Sequence, residues 1–129
     1  VAESRWVGVV DDDASIRVSL ARFLRSSGIR VETFESAEEY LARTVSGQPQ
    51  CIVLDVHLGG LSGFDLRDRL VAAGVAPPII FITAHDIPPA RLVARGRVSG
   101  YLRKPFCTEA LLALVRRHLH DAPSNGTGL

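Results

Sequence analysis

The chain has 129 residues, 47% of apolar type and 22% charged, with a formal net charge of +1 at pH 7. That length holds one domain of ordinary globular composition. The apolar share excludes a disordered chain, and the near-zero charge removes any bulk electrostatic case for nucleic acid. No apolar run is long enough to span a bilayer, and no signal-peptide pattern follows Val1. Two cysteines, Cys51 and Cys107, are too few for a disulfide scaffold and fit a reducing cytoplasm. The expectation is one folded unit over residues 1–121 and a flexible polar tail over 122–129.

The stretch Trp6-Val7-Gly8-Val9-Val10 predicts a buried strand, which Asp11-Asp12-Asp13 ends. Ile16, Leu20, Phe23 and Leu24 follow at helical spacing, Asp13 is placed to cap that helix and Gly28 to stop it. Ile29 to Phe34 alternates apolar and charged residues, the pattern of an edge strand with one wet face. Ser36, with Glu38 and Glu39 behind it, heads a second helix. Cys51-Ile52-Val53-Leu54 reads as a third strand ending at Asp55, and Gly59-Gly60-Leu61-Ser62-Gly63 as loop. A helix with Phe64, Leu66 and Leu70 runs to about Gly74, and Ile79-Ile80-Phe81-Ile82 forms a fourth strand ending at Thr83. Pro88-Pro89 opens a fourth helix to about Arg95, Val98 to Leu102 is a short fifth strand, and Leu111, Leu112, Val115 and Leu119 mark a fifth helix. Such alternation predicts an α/β fold: a doubly wound parallel sheet of five strands flanked by five helices.

In that architecture ligands sit beyond the carboxyl ends of the strands. Asp11 and Asp12 follow the first strand, Asp55 the third, Thr83 the fourth and Lys104 the fifth. Lys104 is the one lysine among 15 basic side chains. Two like charges about 4 Å apart repel by roughly 4 kcal/mol at an effective dielectric near 20. One ammonium cannot offset three carboxylates, so the cluster calls for a divalent cation or a protonated acid. Oxygen ligands alone suit Mg²⁺. A carboxylate beside a metal, a hydroxyl and an ammonium suits phosphoryl transfer. Asp55 is the candidate nucleophile, forming an aspartyl phosphate, with Asp11 and Asp12 as metal ligands.

Four segments, VGVVDDDASIR, CIVLDVHLGGLSG, IFITAH and GYLRKPF, together resemble the receiver domain of bacterial two-component response regulators. The resemblance covers residues 6 to about 120. It implies a flavodoxin-like strand order 2-1-3-4-5 and a phosphorylation-dependent switch, a regulatory domain rather than an enzyme. It implies Asp55 as phosphoacceptor, Asp11 and Asp12 as the acidic pair and the backbone carbonyl of His57 as a third ligand to Mg²⁺. Thr83 and Tyr101 resemble the switch pair, and Lys104 the lysine that contacts the phosphoryl group. The Lys104-Pro105 bond resembles the family's usual cis peptide. The implied partners are a sensor histidine kinase or phosphotransfer protein and an output partner or linked output domain, in a cytoplasmic phosphorelay. The output surface is that of the fourth helix, fifth strand and fifth helix, where Arg91, Arg95, Arg97 and Arg103 cluster. Receivers pair through the same surface, so a homodimer is open. No direct contact with nucleic acid or membrane is implied.

Two departures stand out. The family's usual proline after Leu58 is replaced by Gly59, followed by Gly60, which predicts a looser loop and a less preorganised His57 carbonyl. His57 and His85 each stand two positions beyond a site residue, where they are candidates for tuning dephosphorylation. Cys107 is expected to head the last helix. Rival readings fit less well. A haloacid-dehalogenase-type phosphatase wants a second Asp where His57 stands, and a flavin-binding module wants a phosphate-cradling loop where three aspartates stand. The remaining alternative, a receiver-like interaction module working without phosphorylation, leaves the complete acid, threonine and lysine set unexplained.

Overall fold

The computed structural model describes the backbone of residues 5–43, 47–87 and 98–127. Its elements are β1 (Val7–Val10), α1 (Ala14–Ser26), β2 (Val31–Phe34), α2 (Ala37–Ala42), β3 (Cys51–Asp55), α3 (Gly63–Ala72), β4 (Ile79–Thr83), β5 (Val98–Arg103) and α4 (Thr108–Thr127). The strands form one sheet in the order β2-β1-β3-β4-β5, and every neighbouring pair is parallel. The predicted order therefore holds. The helix expected from Pro88 to about Arg95 lies outside the described residues, which hold four helices. The backbone of α4 stays helical to Thr127, past Asp121 where the sequence reading ends the folded unit.

Strand periodicity divides the core in two, because successive side chains face opposite sides of a sheet. Val10, Ile52, Leu54, Ile79 and Phe81 pack on one face with Phe34, Tyr40 and Leu66. Val7, Val9, Val53, Ile80 and Ile82 pack on the other with Leu20, Leu24, Leu111 and Val115. β1, β3 and β4 are buried throughout, while the two middle residues of the edge strand β2 are half-buried. Each fully buried Leu, Ile or Phe contributes about 1.5–3 kcal/mol.

Local chemistry sets the helix ends. Asp13, Ser36 and Ser62 cap α1, α2 and α3 with their side-chain oxygens. Gly28 and Gly74 adopt φ of +84° and +73° just beyond α1 and α3, a conformation costly for residues with a Cβ. Between β4 and β5 the register slips: Ile79 pairs with Val98 and Ile80 with Gly100, so Ser99 is the extra residue of a bulge. That slip brings Tyr101 opposite Phe81 and Arg103 opposite Thr83. Trp6 leads into β1 at the end remote from Asp11 and is only 3% exposed.

Candidate functional site

The parallel sheet delivers the predicted residues to one edge. Asp11 and Asp12 follow β1, Asp55 closes β3, Thr83 closes β4 and Lys104 follows β5. A carboxylate oxygen from each of Asp11, Asp12 and Asp55 lies within 4.8 Å of the others. Lys104 reaches over this cluster, with Nζ 3.2 Å from Asp11 Oδ2 and 3.3 Å from Asp55 Oδ2. Its own backbone N–H donates to the Thr83 carbonyl at 2.7 Å, and the Lys104–Pro105 peptide is cis, as expected.

Each acid is held by its local chain. Asp11 is buried; its Oδ1 accepts from the Asp13 N–H at 2.9 Å and its carbonyl accepts from Arg17 Nη1 at 2.8 Å. Asp13 turns to the helix, accepting from the Ile16 N–H at 3.2 Å. Asp12 is left as the exposed member of the acidic pair. Asp55 is buried and its Oδ1 accepts from the His57 N–H at 3.1 Å. The start of α3 closes directly over the end of β3: a Cβ on Gly63 would overlap the Asp55 carbonyl oxygen. Thr83 is fully buried and its Oγ1 accepts from the His85 N–H at 3.1 Å.

The electrostatics follow from this geometry. Burial, and then the Asp11 charge, push Asp55 up to about 6, against the His57 N–H and Lys104, which pull it down. Burial disfavours the Lys104 ammonium, but Asp55 and Asp11 outweigh it and hold the group above its ordinary range. The site is therefore short of positive charge at neutral pH. A donor set of carboxylate oxygens around such a deficit fits a hard divalent cation.

The other predicted residues gather nearby. The rings of His57 and His85 meet edge to face, with centroids 4.8 Å apart. Tyr101 is half-buried and packs against the core cluster that contains Phe81 and Ile87. Of the basic patch, Arg91, Arg95 and Arg97 lie outside the described residues. Arg103 is exposed and pairs with exposed Asp86 at 2.9 Å, a contact worth little in water. Cys107 heads α4, its carbonyl accepting from the Ala110 and Leu111 N–H groups.

Sequence reasoning missed two residues. Arg17 steadies the Asp11 carbonyl, and Glu38 Oε2 accepts from the Leu61 N–H at 3.0 Å. The Gly59-Gly60 loop, expected to be loose, is thus bonded to α2, which packs on the same face of the sheet as α3. No local pattern signals a contact between residues 23 positions apart.

The model of the response regulator receiver domain family matches residues 7–116. The chain is 44% identical over 110 residues to nodulation protein W of Bradyrhizobium diazoefficiens, covering 84% of this chain and 48% of that protein. It is 38% identical over 125 residues to transcriptional regulatory protein FixJ of Azorhizobium caulinodans, covering 96% of this chain and 59% of the relative. The chain thus spans about half the length of these curated relatives. Among solved structures, response regulator StyR aligns with a TM-score of 0.82 at 38% identity, covering 96% of this chain and 63% of that one. Chemotaxis protein CheY4 of Vibrio cholerae aligns with a TM-score of 0.78 at 30% identity, covering 88% and 96%.

Proposed function

Because this chain belongs to the response regulator receiver domain family, and so is a regulatory domain of two-component signalling, we propose that Asp55 is its phosphoacceptor and that Asp11, Asp12, Asp55 and the His57 carbonyl hold Mg²⁺. The observation that carries this reading is the convergence of three carboxylates within 4.8 Å under one lysine. When bound, Mg²⁺ neutralises the acids and the oxygens of the transferring group.

Asp55 carries a pKa of about 6, so its carboxylate is mostly ionised at neutral pH and available as a nucleophile. Its oxygen attacks the phosphorus of a phosphohistidine on a sensor histidine kinase or phosphotransfer protein. The P–N bond breaks, the electron pair goes to the departing imidazole nitrogen, which takes up a proton, and an acyl phosphate forms on Asp55. Lys104, already 3.3 Å from Asp55 Oδ2, moves its ammonium onto a phosphoryl oxygen. A groove of about 620 Å³ between α1 and the segment after β5, lined by Ile16, Leu20, Lys104 and Phe106, adjoins the site at Lys104.

The switch begins at Thr83. Its oxygen accepts from His85, which leaves its O–H to donate to a phosphoryl oxygen. Tyr101, opposite Phe81 on the neighbouring strand, then turns inward and the surface of β5 and α4 changes. A shift of about 100-fold in partner affinity needs about 2.7 kcal/mol of differential interaction. FixJ, named as a transcriptional regulatory protein, favours a linked transcriptional output, in the cytoplasm. His57 and His85, in contact beside Asp55, screen the approach of hydrolytic water, so His85→Ala should change the dephosphorylation rate.

The test is incubation with Mg²⁺ and a small phosphodonor, followed by intact mass. One phosphoryl group should appear on the wild type and none on Asp55→Asn. Equal labelling of both would overturn the reading.

A further inference from the structure

The loop after Asp55 is held from another helix. Between β3 and α3 the chain leaves at Val56 and returns at Gly63, whose N–H donates to the Val56 carbonyl at 2.8 Å. The loop so closed carries His57 and then Gly59 and Gly60, the two residues with the widest backbone freedom. Its far side is not left to that freedom. Leu61 N–H donates to Glu38 Oε2 at 3.0 Å, and Glu38 stands in the first turn of α2. The fit is steric as well as polar: a Cβ on Gly60 would overlap the Glu38 carboxylate. The glycine that frees the loop is also the residue that admits its clamp.

Glu38 is well prepared for this. Ser36 caps α2 through the Glu39 N–H at 3.0 Å, and Glu39 returns a bond to the Glu35 N–H at 2.6 Å. The Leu61 N–H, the residue's own N–H and the Arg69 charge keep the Glu38 carboxyl below its usual range.

We propose that Glu38 is a positioning residue for the Mg²⁺ site: by bonding Leu61 it fixes the Gly59-Gly60 loop and, through it, the direction of the His57 carbonyl. This rests on the reading of Asp11, Asp12, Asp55 and the His57 carbonyl as the ligand set. Partners that orient metal ligands typically change affinity by about 10- to 100-fold when removed. Glu38 is exposed and acts through a loop, so the lower end applies.

The experiment is a calorimetric Mg²⁺ titration, with thermal unfolding in EDTA as the control for folding. Glu38→Ala should weaken Mg²⁺ binding about tenfold while the metal-free Tm moves by no more than about 4 °C. Glu38→Gln keeps an acceptor oxygen without the charge and should stay within about twofold of wild type. Gly60→Ala should push the Glu38 carboxylate aside and weaken Mg²⁺ binding by no more than Glu38→Ala does, and the double variant should be no weaker than Glu38→Ala alone, as for two residues serving one contact. Wild-type affinity in Glu38→Ala overturns the proposal. So does a Glu38→Gln as weak as Glu38→Ala, because the loss would then follow negative charge rather than the bond. If wild type takes no Mg²⁺, or Asp12→Asn takes it equally well, the ligand reading itself fails and the proposal falls with it.

Discussion

Asp55 is ionised at a cost. Its pKa is raised from 3.8 to about 6, chiefly by burial and then by Asp11. A raised folded value means that its contribution to stability is full below 3.8 and is lost as pH rises through about 6. Asp55→Asn should therefore stabilise the metal-free protein by about 3 kcal/mol at pH 7.5, at 1.36 kcal/mol per pH unit between 3.8 and about 6, a span that already includes the pull of Lys104. The gain should vanish towards pH 4, as read by urea titrations followed by circular dichroism. The two thiols offer a second contrast at this scale. Cys51 is fully buried in β3 and burial pushes its pKa up to about 12, whereas Cys107 is exposed. A thiol reagent should modify Cys107 alone in the native protein and reach Cys51 only on unfolding.

At the scale of elements, the contact between α3 and β3 governs the phosphoacceptor. Gly63 begins α3 hard against the Asp55 carbonyl, so Gly63→Ala must displace one or the other. It should cost about 1–3 kcal/mol of stability and slow phosphorylation by a small donor more than Gly59→Ala, since a Cβ on Gly59 meets nothing within 4 Å. The elements themselves were legible because their signals are local. β1, β3 and β4 are covered on both faces and read as unbroken apolar runs, and β2 showed its wet face as alternation. Asp13 and Ser36 stand where caps must stand. The acids, Thr83 and Lys104 were legible one level up, because parallel strands share a carboxyl edge. What stayed hidden depends on side chains meeting across the fold. Arg67 stands three residues from both Phe64 and Leu70, so spacing puts it on the buried face, but its charge hides that: it is 1% exposed, its guanidinium 5.3 Å from the Phe64 ring centroid and 5.7 Å from that of Phe81. Glu38 reads as a helix-opening acid, which it is, and its bond to Leu61 appears only when α2 is laid beside the loop.

For the whole molecule, placing every reactive group on one edge concentrates negative charge there while the net charge of the chain stays at +1. Mg²⁺ that binds this edge in the folded state should stabilise the fold as a whole. At 100 times its dissociation constant the gain is about 2.7 kcal/mol, and Asp12→Asn should remove it while leaving the metal-free stability little changed, because Asp12 is exposed. Among the described residues no helix is long and apolar enough to cross a membrane.

The single tryptophan gives this arrangement a practical edge. Trp6 is sealed in the core at the opposite end of β1 from the acids, five residues of extended chain or roughly 17 Å away. Its emission should follow collapse and melting of the interior faithfully and stay dark to the arrival of an ion. An optical probe of loading has to be installed near His57 or His85, where the chain placed imidazoles and no indole.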